Sequence, residues 1–462
     1  MSTAGKLTGA ALLERSRLEE IAADAVRLAR EAGATDSECT IAQGDEFSVS
    51  VRKGQVEQLK EAGSRGAGIR VLFGQRSASA YTSDLTPEGI RLMVNGAVEM
   101  AAITTDDPWA GLPDDSEYGK IEGDLGLFSD DVERLTTEEK IRMAREAEAS
   151  SLAVDPRINN SEGASFDSYT GLHVFANSRG FVTSYRSSSC SLSTVPVARE
   201  GGSMERDFWA SAARSSARLE SPEYVGRKAA ERVLRRLGAR KVPTQKAPVI
   251  FEARIARSLL DHVFDAVNGG AVYRKASFLA GKLGEKIASD RVTIVDDGTM
   301  PGLFGTSPCD DEGVPSRRTV VVDRGVLSSY LLNTYSARRL NLKTTGNASR
   351  GLTGAAGVGH GNMFMQPGDL TAADVIKSVR NGLYVTELIG FGVNTATGDY
   401  SRGAVGLWIE NGELAFPVSE VTIASTLQQM LAGIEAIASD LEFRGSLACP
   451  TILINEMTIS GQ

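Results

Sequence analysis

The middle of the chain reads Glu252-Ala-Arg-Ile-Ala-Arg-Ser-Leu-Leu-Asp-His-Val-Phe-Asp-Ala-Val-Asn-Gly-Gly270, and this segment decides the fold. Its apolar residues recur at intervals of three and four, which is the spacing of a helix with one buried face. The polar residues Asp261, His262 and Asp265 lie off that face, and Gly269-Gly270 is predicted to end the helix. The predicted buried positions are Ile255, Ala256, Leu259, Leu260, Val263, Phe264 and Val267.

The polar residues of this helix do not complete a metal-binding motif. A zinc or iron site on a single helix needs two histidines, or a histidine and carboxylates, about one turn apart. The segment offers His262 alone, and Ala266 occupies the position where a second ligand is needed. We therefore expect no bound metal and no cofactor at this helix.

The composition indicates folded domains and argues against a nucleic-acid partner. A chain of 462 residues with 42% hydrophobic content can bury two or three cores. The 59 acidic and 50 basic residues give a formal net charge of -9. A nucleic-acid-binding domain instead carries an excess of basic residues on one face.

The cysteines and the hydropathy predict a reduced, cytoplasmic protein with no membrane partner. Cys39, Cys190, Cys309 and Cys449 are far apart and form no Cys-x-x-Cys pair, so we expect four buried thiols. Residues 1–10 contain no apolar segment of signal-peptide length, and no later run approaches about 20 apolar residues.

The periodicity along the chain predicts an α+β protein. Residues 1–240 combine helices with an antiparallel sheet, in submodules of about 1–115 and 116–240. Residues 241–246 are a polar linker at the main domain boundary. Residues 241–462 are predicted to form a curved antiparallel sheet or partial barrel with the central helix packed against it.

Local signals predict several individual elements. Thr86-Pro87 and Thr136-Thr-Glu-Glu139 are predicted helix starts, the second as a capping box. Asn411-Gly412 is the strongest hairpin signal in the chain. A strand is predicted over residues 326–332 and a helix over residues 427–438.

Two acidic groups outside the central helix have both a functional and a structural interpretation. Asp296-Asp297 and Asp310-Asp311-Glu312 could be ligands of a hard cation or an acid–base pair. Because Asp-Asp-Gly and Asp-Glu-Gly are strong turn formers, we favour turns at both places.

The histidine, serine and glycine patterns predict no further functional site. His173 lies in a strand pattern and His360 in a glycine-rich loop, with no short-range partner to form a metal site. Ser187-Ser-Ser-Cys190 lacks a nucleophile elbow, which favours exposed sheet serines. Residues 351–361 are rich in glycine but lack the Lys-Ser/Thr of a phosphate loop, so we predict a flexible loop.

These residues resemble the TldD/PmbA proteins, a family once called modulators of DNA gyrase. In the TldD branch the central helix carries His-Glu-x-x-x-His, the metalloprotease motif, where this chain has Asp261, His262 and Ala266. A Cys-Gly-Lys segment adds a metal ligand in that branch; the equivalent run here contains Cys449 without that pattern. The resemblance covers nearly the whole chain through Asp296-Asp-Gly-Thr-Met-Pro-Gly302, Asp310-Asp-Glu-Gly313, Thr345-Gly-Asn347, Gly398-Asp-Tyr-Ser-Arg-Gly403, Trp408-Ile-Glu-Asn-Gly-Glu413 and Asn455-Glu-Met-Thr-Ile-Ser-Gly461.

Each difference between this chain and the TldD branch indicates the PmbA (TldE) branch of the family. That resemblance implies a non-catalytic subunit that forms a heterodimer with a TldD-type metalloprotease. The complex encloses and holds unfolded peptides for proteolysis, in peptide maturation and antitoxin turnover. Asp261, His262 and Ala266 are then degenerate motif positions, and no residue of this chain is expected to be catalytic. The negative charge gives no support to a gyrase association.

Two other functions stay open. The first is a stand-alone metal-dependent peptidase that uses Asp261, His262, Asp265 and a distant carboxylate. The second is a homodimeric protein that binds peptides without any protease. The sequence also leaves open whether His262 or Cys449 contributes to a site shared with a partner.

Overall fold

The computed structural model describes residues 13–461. The interpretation of residues 1–10 lies outside this range. The amphipathic pattern over residues 12–32 also predicts a helix, and its predicted first residue lies outside the range as well. Across residues 13–461, no helix combines the length and the apolar composition needed to cross a bilayer.

The N-terminal half is built on one antiparallel sheet with helices packed against it. Its strand order is β3-β2-β1-β4-β5, and both β6 and β7 pair with the far side of β5. The elements are α1 (Arg15–Glu31), β1 (Asp36–Arg52), β2 (Gln55–Phe73), β3 (Arg76–Thr82), α2 (Pro87–Ile103), α3 (Asp131–Arg134), α4 (Thr137–Leu152), β4 (Ile158–Asn177), β5 (Val182–Glu200), β6 (Ser203–Arg206), β7 (Trp209–Ala213) and α5 (Pro222–Leu234).

The predicted helix starts of this half are confirmed. The Thr86 side chain accepts a hydrogen bond from the Gly89 amide, and Pro87 follows as the first residue of α2. At α4 the Thr136 hydroxyl accepts from the Glu139 amide, and the Glu139 carboxylate accepts in return from the Thr136 amide. Each cap satisfies amides that have no partner inside the helix.

The C-terminal half contains a barrel and a second, smaller sheet. The elements are β8 (Gln245–Phe251), α6 (Ala253–Val267), α7 (Gly269–Tyr273), β9 (Ile294–Asp297), β10 (Arg318–Asp323), β11 (Val326–Leu327), α8 (Thr334–Leu340), β12 (Ala348–Ser349), β13 (Gly357–Val358), β14 (Asn362–Met365), α9 (Ala372–Lys377), β15 (Asn381–Ile389), β16 (Val393–Asn394), β17 (Asp399–Glu410), β18 (Glu413–Thr426), α10 (Leu427–Ala432), β19 (Ile434–Ile437), β20 (Leu447–Ala448) and β21 (Ile452–Ser460).

The barrel closes because β15 pairs with both β8 and β17. The strands follow one another as β15-β8-β21-β18-β17, and the additional β15–β17 pairing completes the ring. The smaller sheet has the order β11-β10-β9-β14-β20. The predicted α+β class and curved C-terminal sheet are therefore confirmed, whereas the domain division at residue 240 stays a prediction.

The central helix α6 packs between the barrel and the smaller sheet. Leu259, Leu260 and Val263 are buried in one cluster with side chains from β8, β14 and β21. This matches the predicted apolar face of the helix. The Asn411-Gly412 hairpin is also confirmed, since both residues have positive φ, at 53° and 82°, as the tight turn between β17 and β18 requires.

Three local predictions about the C-terminal half were wrong. Gly269-Gly270 does not end α6: the break falls at Asn268, whose side chain accepts from the Gly270 amide and caps α7. The strand predicted over residues 326–332 spans only Val326–Leu327. The helix predicted over residues 427–438 stops at Ala432, and Ile434–Ile437 form β19 because these apolar residues pair with β21.

The flexibility predicted for the glycine-rich loop over residues 351–361 stays a prediction, but the loop is held at two places. Its base is closed by the pairing of β12 with β13. Its residue Leu352 lies against Gly66 and Gly68 of β2, so closely that a Cβ added to Gly68 would sit 1.7 Å from the Leu352 carbonyl oxygen. Glycine at this position therefore permits the two halves of the chain to touch.

The halves are joined by two ion-pair networks, the first buried and the second partly buried. The Arg350 guanidinium lies 2.5 Å from the Glu38 carboxylate on β1 and donates to the Thr40 hydroxyl at 2.8 Å. Arg70 on β2 binds the same carboxylate oxygen of Glu38 at 3.1 Å. All three charged side chains are almost completely buried.

The second network connects α5 to the start of the central helix. Arg232 and Arg235 bind the Glu252 carboxylate at 2.9 and 3.3 Å, immediately before α6. Arg236 binds Glu387 of β15 at 2.5 Å. The position of α6 is thus fixed by the N-terminal half as well as by its own apolar face.

We expect Arg350→Met to lower the free energy of unfolding by about 3 kcal/mol, because breaking a buried ion pair leaves an uncompensated charge. Urea denaturation followed by circular dichroism measures the change. The matched control is Arg91→Met, which removes an exposed pair with Glu88 and is expected to change stability by less than about 0.5 kcal/mol. Equal stability of the two variants would show that the Arg350 pair does not join the halves.

Candidate functional site

The polar positions of α6 do not converge on one point. Asp261 and Asp265 lie on the exposed side of the helix, His262 is half-buried, and Ala266 is fully buried in the core. Residues 261 and 266 are about 140° apart around a helix with 3.6 residues per turn. The sequence-predicted positions therefore share the helix but not a common pocket.

His262 faces the barrel strand β17. Its ring meets the Tyr400 ring edge-on with centroids 6.1 Å apart. Burial lowers the pKa of His262, Asp261 opposes this shift, and Arg402 adds to it. Because of this shift, the imidazole is neutral at pH 7. Within residues 13–461, the buried His262 Nε2 and the Tyr400 hydroxyl make no hydrogen bond.

The residues present do not fit the metal that the sequence resemblance associates with this helix. Ala266 supplies no donor atom. Burial and the neighbouring Asp261 carboxylate raise the pKa of Asp265, which weakens it as a ligand. In the described residues, no group of three or more His, Cys, Asp and Glu side chains is arranged to hold a metal ion.

Cys449 lies against the first two turns of α6, away from Asp261 and His262. It lines a cavity of about 200 Å³ together with Ala253, Arg254 and Arg257. Burial raises the pKa of the Cys449 thiol, and Asp440 raises it further, so the thiol stays protonated at neutral pH. All four cysteines are unpaired and buried, as predicted.

This cavity, which we call the arginine pocket, was not predicted from the sequence. Phe208, Ala210 and Ala212 of the β7 region form one wall, and residues 442–449 form another. The Arg254 guanidinium lies 4.7 Å from the ring centroids of both Phe208 and Trp209. The arginines at positions 254 and 257 are one helical turn apart, but the segments facing them are distant in sequence.

A second cavity, of about 280 Å³, lies between the N-terminal sheet and the C-terminal half. It contains Asp296, Asp310 and Asp311 from one side and Tyr185 and Arg214 from the other. We call it the acidic cavity. Both acidic groups that were predicted to form turns, 296–297 and 310–312, therefore contribute side chains to it.

The turn assignment was right for Asp310 and wrong for Asp296. The Asp310 carboxylate accepts hydrogen bonds from the Glu312 and Val314 amides, which closes a tight turn. Asp296 instead lies in strand β9 and is buried, where its carboxylate accepts from the Asn347 side chain at 2.7 Å. Burial raises the pKa of Asp296 to about 6, although Asn347 and His360 oppose the shift.

Of the remaining histidines, only His360 lines the acidic cavity, among the described residues. His360 packs edge-on against Phe264 of α6, with centroids 4.8 Å apart. The His173 Nε2 lies 3.9 Å from the Asp311 carboxylate, but burial lowers the pKa of His173. Neither histidine lies on α6 with His262.

The prediction of exposed sheet serines was wrong. Ser188 is fully buried, and Ser187 and Ser189 are half-buried. The Ser188 hydroxyl donates to the Arg214 carbonyl at 2.6 Å and accepts from the Ser129 amide at 2.8 Å. The side chain therefore secures the connector between α2 and α4 to the sheet.

With the geometry described, the relatives of the chain can be compared. Residues 40–101, 130–237 and 244–461 match the first, central and C-terminal domains of the PmbA/TldA metallopeptidases. The fold and these matches place the protein in the class of metallopeptidase-related chains. It belongs to the PmbA/TldD family and, within it, to the PmbA branch.

The relatives match over their full length. Metalloprotease PmbA of Escherichia coli O157:H7 is 40% identical, and the PmbA homolog of Haemophilus influenzae is 36% identical, each with 100% of both chains covered. A solved structure of a candidate modulator of DNA gyrase from Bacteroides thetaiotaomicron has 28% identity and a TM-score of 0.90, covering 98% of this chain and 100% of that one. TldE from Thermococcus kodakarensis, at 20% identity, shares the fold with a TM-score of 0.86 over 96% of this chain and 100% of that one.

We expect Asp296→Asn to stabilise the protein at neutral pH. The pKa of Asp296, about 6, is above the value of about 4 in an unfolded chain. The stabilising effect of the protonated carboxyl is complete below about pH 4 and is lost as the pH rises through 6. The variant should therefore gain about 2 kcal/mol over wild type at pH 7.5 and little at pH 4.

Urea denaturation at the two pH values measures this difference. Asp369→Asn, at an exposed position, is the control and should follow the wild-type profile. A gain that is equal at pH 4 and pH 7.5 would mean that Asp296 does not titrate in this range.

Proposed function

We propose that this chain is the non-catalytic subunit of a two-chain metallopeptidase, which pairs with a TldD-type chain and holds unfolded peptides for proteolysis. One observation carries the proposal. The helix α6 has a buried apolar face. Its positions equivalent to the metalloprotease motif of the TldD branch carry Asp261, His262 and the buried Ala266. The scaffold of a metallopeptidase is thus combined with a side-chain set unsuited to a metal.

Peptide holding is supported by strand edges of the N-terminal sheet. Strand β3 pairs only with β2, and β7 pairs only with β5, within residues 13–461. An edge strand offers unpaired backbone donors and acceptors to an extended peptide, which gives binding with little dependence on sequence. Such binding suits a subunit that handles unfolded chains.

Pairing is supported by an exposed apolar loop between β15 and β16. Phe391 is 99% exposed and Ile389 is 52% exposed, with only Gly390 between them. A fully exposed aromatic side chain beside a second large apolar residue is typical of a contact with another chain. We assign this loop to the contact with the TldD-type subunit.

The first test is metal content and activity. We expect the purified chain to contain no stoichiometric zinc or iron by plasma mass spectrometry and to cleave no unfolded peptide. Peptidase activity should appear after addition of a TldD-type chain with an intact His-Glu-x-x-x-His motif, and it should be lost with EDTA.

His262→Ala separates this proposal from the stand-alone peptidase. A catalytic role of Asp261, His262 and Asp265 requires the variant to lose both metal and turnover. Our proposal requires the complex formed with the variant to keep the activity of the wild-type complex. EDTA-sensitive cleavage by the isolated chain would overturn it.

The second test concerns the exposed loop. We expect Phe391→Ser to weaken binding of the TldD-type chain at least about tenfold, because aromatic hot spots contribute about 2 kcal/mol or more. Isothermal titration calorimetry measures the affinity.

The control for this test is Leu92→Ser on α2. Leu92 is also an exposed apolar residue, at 63%, and its substitution should leave the affinity unchanged. If Phe391→Ser abolishes self-association but not binding of the TldD-type chain, the loop belongs to a homodimer and our assignment is wrong.

A further inference from the structure

The arginine pocket has two distinct walls. One wall is apolar and is formed by Phe208, Ala210, Ala212, Leu447, Ala448 and Cys449. The other is charged and is formed by Arg254 and Arg257 of α6 together with Arg444 and its ion-pair partner Glu442, so that three arginines face one carboxylate. A cavity of about 200 Å³ with this division accommodates a small group that has an anionic end and an apolar end.

The positive charge on α6 is not neutralised. Within residues 13–461, neither Arg254 nor Arg257 forms a salt bridge with a carboxylate, whereas the buried Arg70, Arg232 and Arg350 all do. The hydrogen bond of Arg254 to the protein goes to the Phe208 carbonyl at 3.4 Å. Burial lowers the pKa of Arg254 to about 10, the nearby Arg232 adds to this shift, and Glu252 and Asp207 oppose it. A half-buried cation without a directly bound carboxylate is stabilised when an anion binds beside it.

Arg444 lines the cavity, but its charge is already paired with two carboxylates. Its guanidinium binds Glu220 at 2.9 Å and Glu442 at 2.8 Å and lies 4.2 Å from the Trp209 ring centroid. It also donates to the Ala210 carbonyl of β7 at 3.0 Å. This arrangement joins the 442–449 segment to β7 and keeps the cavity open between them.

The start of α6 adds to the attraction for an anion. The Glu252 side chain does not cap the helix, because its carboxylate is bound by Arg232 and Arg235. The first-turn amides of Ala253 and Arg254 have no carbonyl partner inside the helix and carry partial positive charge. Both residues line the cavity.

We propose that the arginine pocket binds the free C-terminal carboxylate of an extended peptide, with Arg254 and Arg257 as its cationic partners. The planar guanidinium fork matches a carboxylate with two parallel hydrogen bonds. The apolar wall receives the last side chain of the peptide. This inference rests on the proposed peptide-holding function and names the part of the peptide that is recognised.

Two peptides test the proposal. Both are unstructured hexapeptides of the same sequence that end in alanine, one with a free carboxylate and the other with a terminal amide. We expect the wild-type chain to bind the free acid at least about tenfold more tightly, because a hydrogen-bonded charge pair contributes about 1.5–3 kcal/mol. Fluorescence anisotropy with an N-terminal dye measures both affinities.

Three variants locate the effect. Arg254→Gln and Arg257→Gln should each reduce the preference for the free acid to less than about threefold. Arg257 is exposed, so its substitution leaves the packing of Phe208 and Trp209 undisturbed. The matched control is Arg145→Gln on α4, which removes an exposed helical arginine away from the pocket and should keep the full preference.

The binding results that would contradict this inference differ from the results that test the proposed function. Equal binding of acid and amide, binding of neither, or a preference that survives both pocket variants would overturn the inference. Competition by millimolar inorganic phosphate without any preference for the acid peptide would assign the pocket to another anion and would also overturn it. In each case the metal analysis and the assembly with a TldD-type chain still decide the proposed function by themselves.

Discussion

The burial of Glu38 between two arginines is the interaction on which the arrangement of this protein depends. Its carboxylate is held by Arg70 of the same sheet and by Arg350 from the other half of the chain. A buried charge that loses its partner costs about 3–5 kcal/mol, a large part of the stability of a folded protein. The docking of the two halves brings Arg350 to Glu38 Oε1, and the Arg350 amide also donates to Asp311 at the acidic cavity. The shape of that cavity therefore follows from the ion pair.

The apolar residues that pack the central helix into the core lie on a different face from its polar residues, so the packing does not depend on the polar side chains. Leu259, Leu260 and Val263 anchor α6 in the core, and none of them takes part in a polar site. The exposed positions 261 and 265 can change without loss of packing, whereas Ala266 lies in the core. A chain with the metallopeptidase fold can therefore carry Asp261 and His262 at positions where the sequence resemblance places the metalloprotease motif of the TldD branch.

The sequence predicted what short-range patterns determine, and it failed where long-range contacts decide. The apolar face of α6, the caps at Thr86 and Thr136 and the Asn411-Gly412 turn all follow from neighbouring residues and were predicted correctly. Residues 434–437 were assigned to a helix because the pairing of β19 with β21 is invisible in the local pattern. Asp296 was assigned to a turn for the same reason, since its strand is defined by neighbours more than twenty residues away along the chain. The arginine pocket combines three distant segments, so no spacing rule could have found it.

The arginine pocket also bears on why a metal does not suit this end of α6. Coulomb repulsion between two unit charges about 4 Å apart is about 4 kcal/mol at an effective dielectric constant of about 20, and it doubles for a divalent ion. Arg254 and Arg257 therefore oppose a metal at the position where Cys449 approaches the helix, and the raised pKa of that thiol acts in the same direction. The same charges favour an anion. The two ends of α6 therefore differ: the positions equivalent to metal ligands, 261, 262 and 266, lie toward its C-terminus, and the positive charge at its N-terminus suits the carboxylate proposed above.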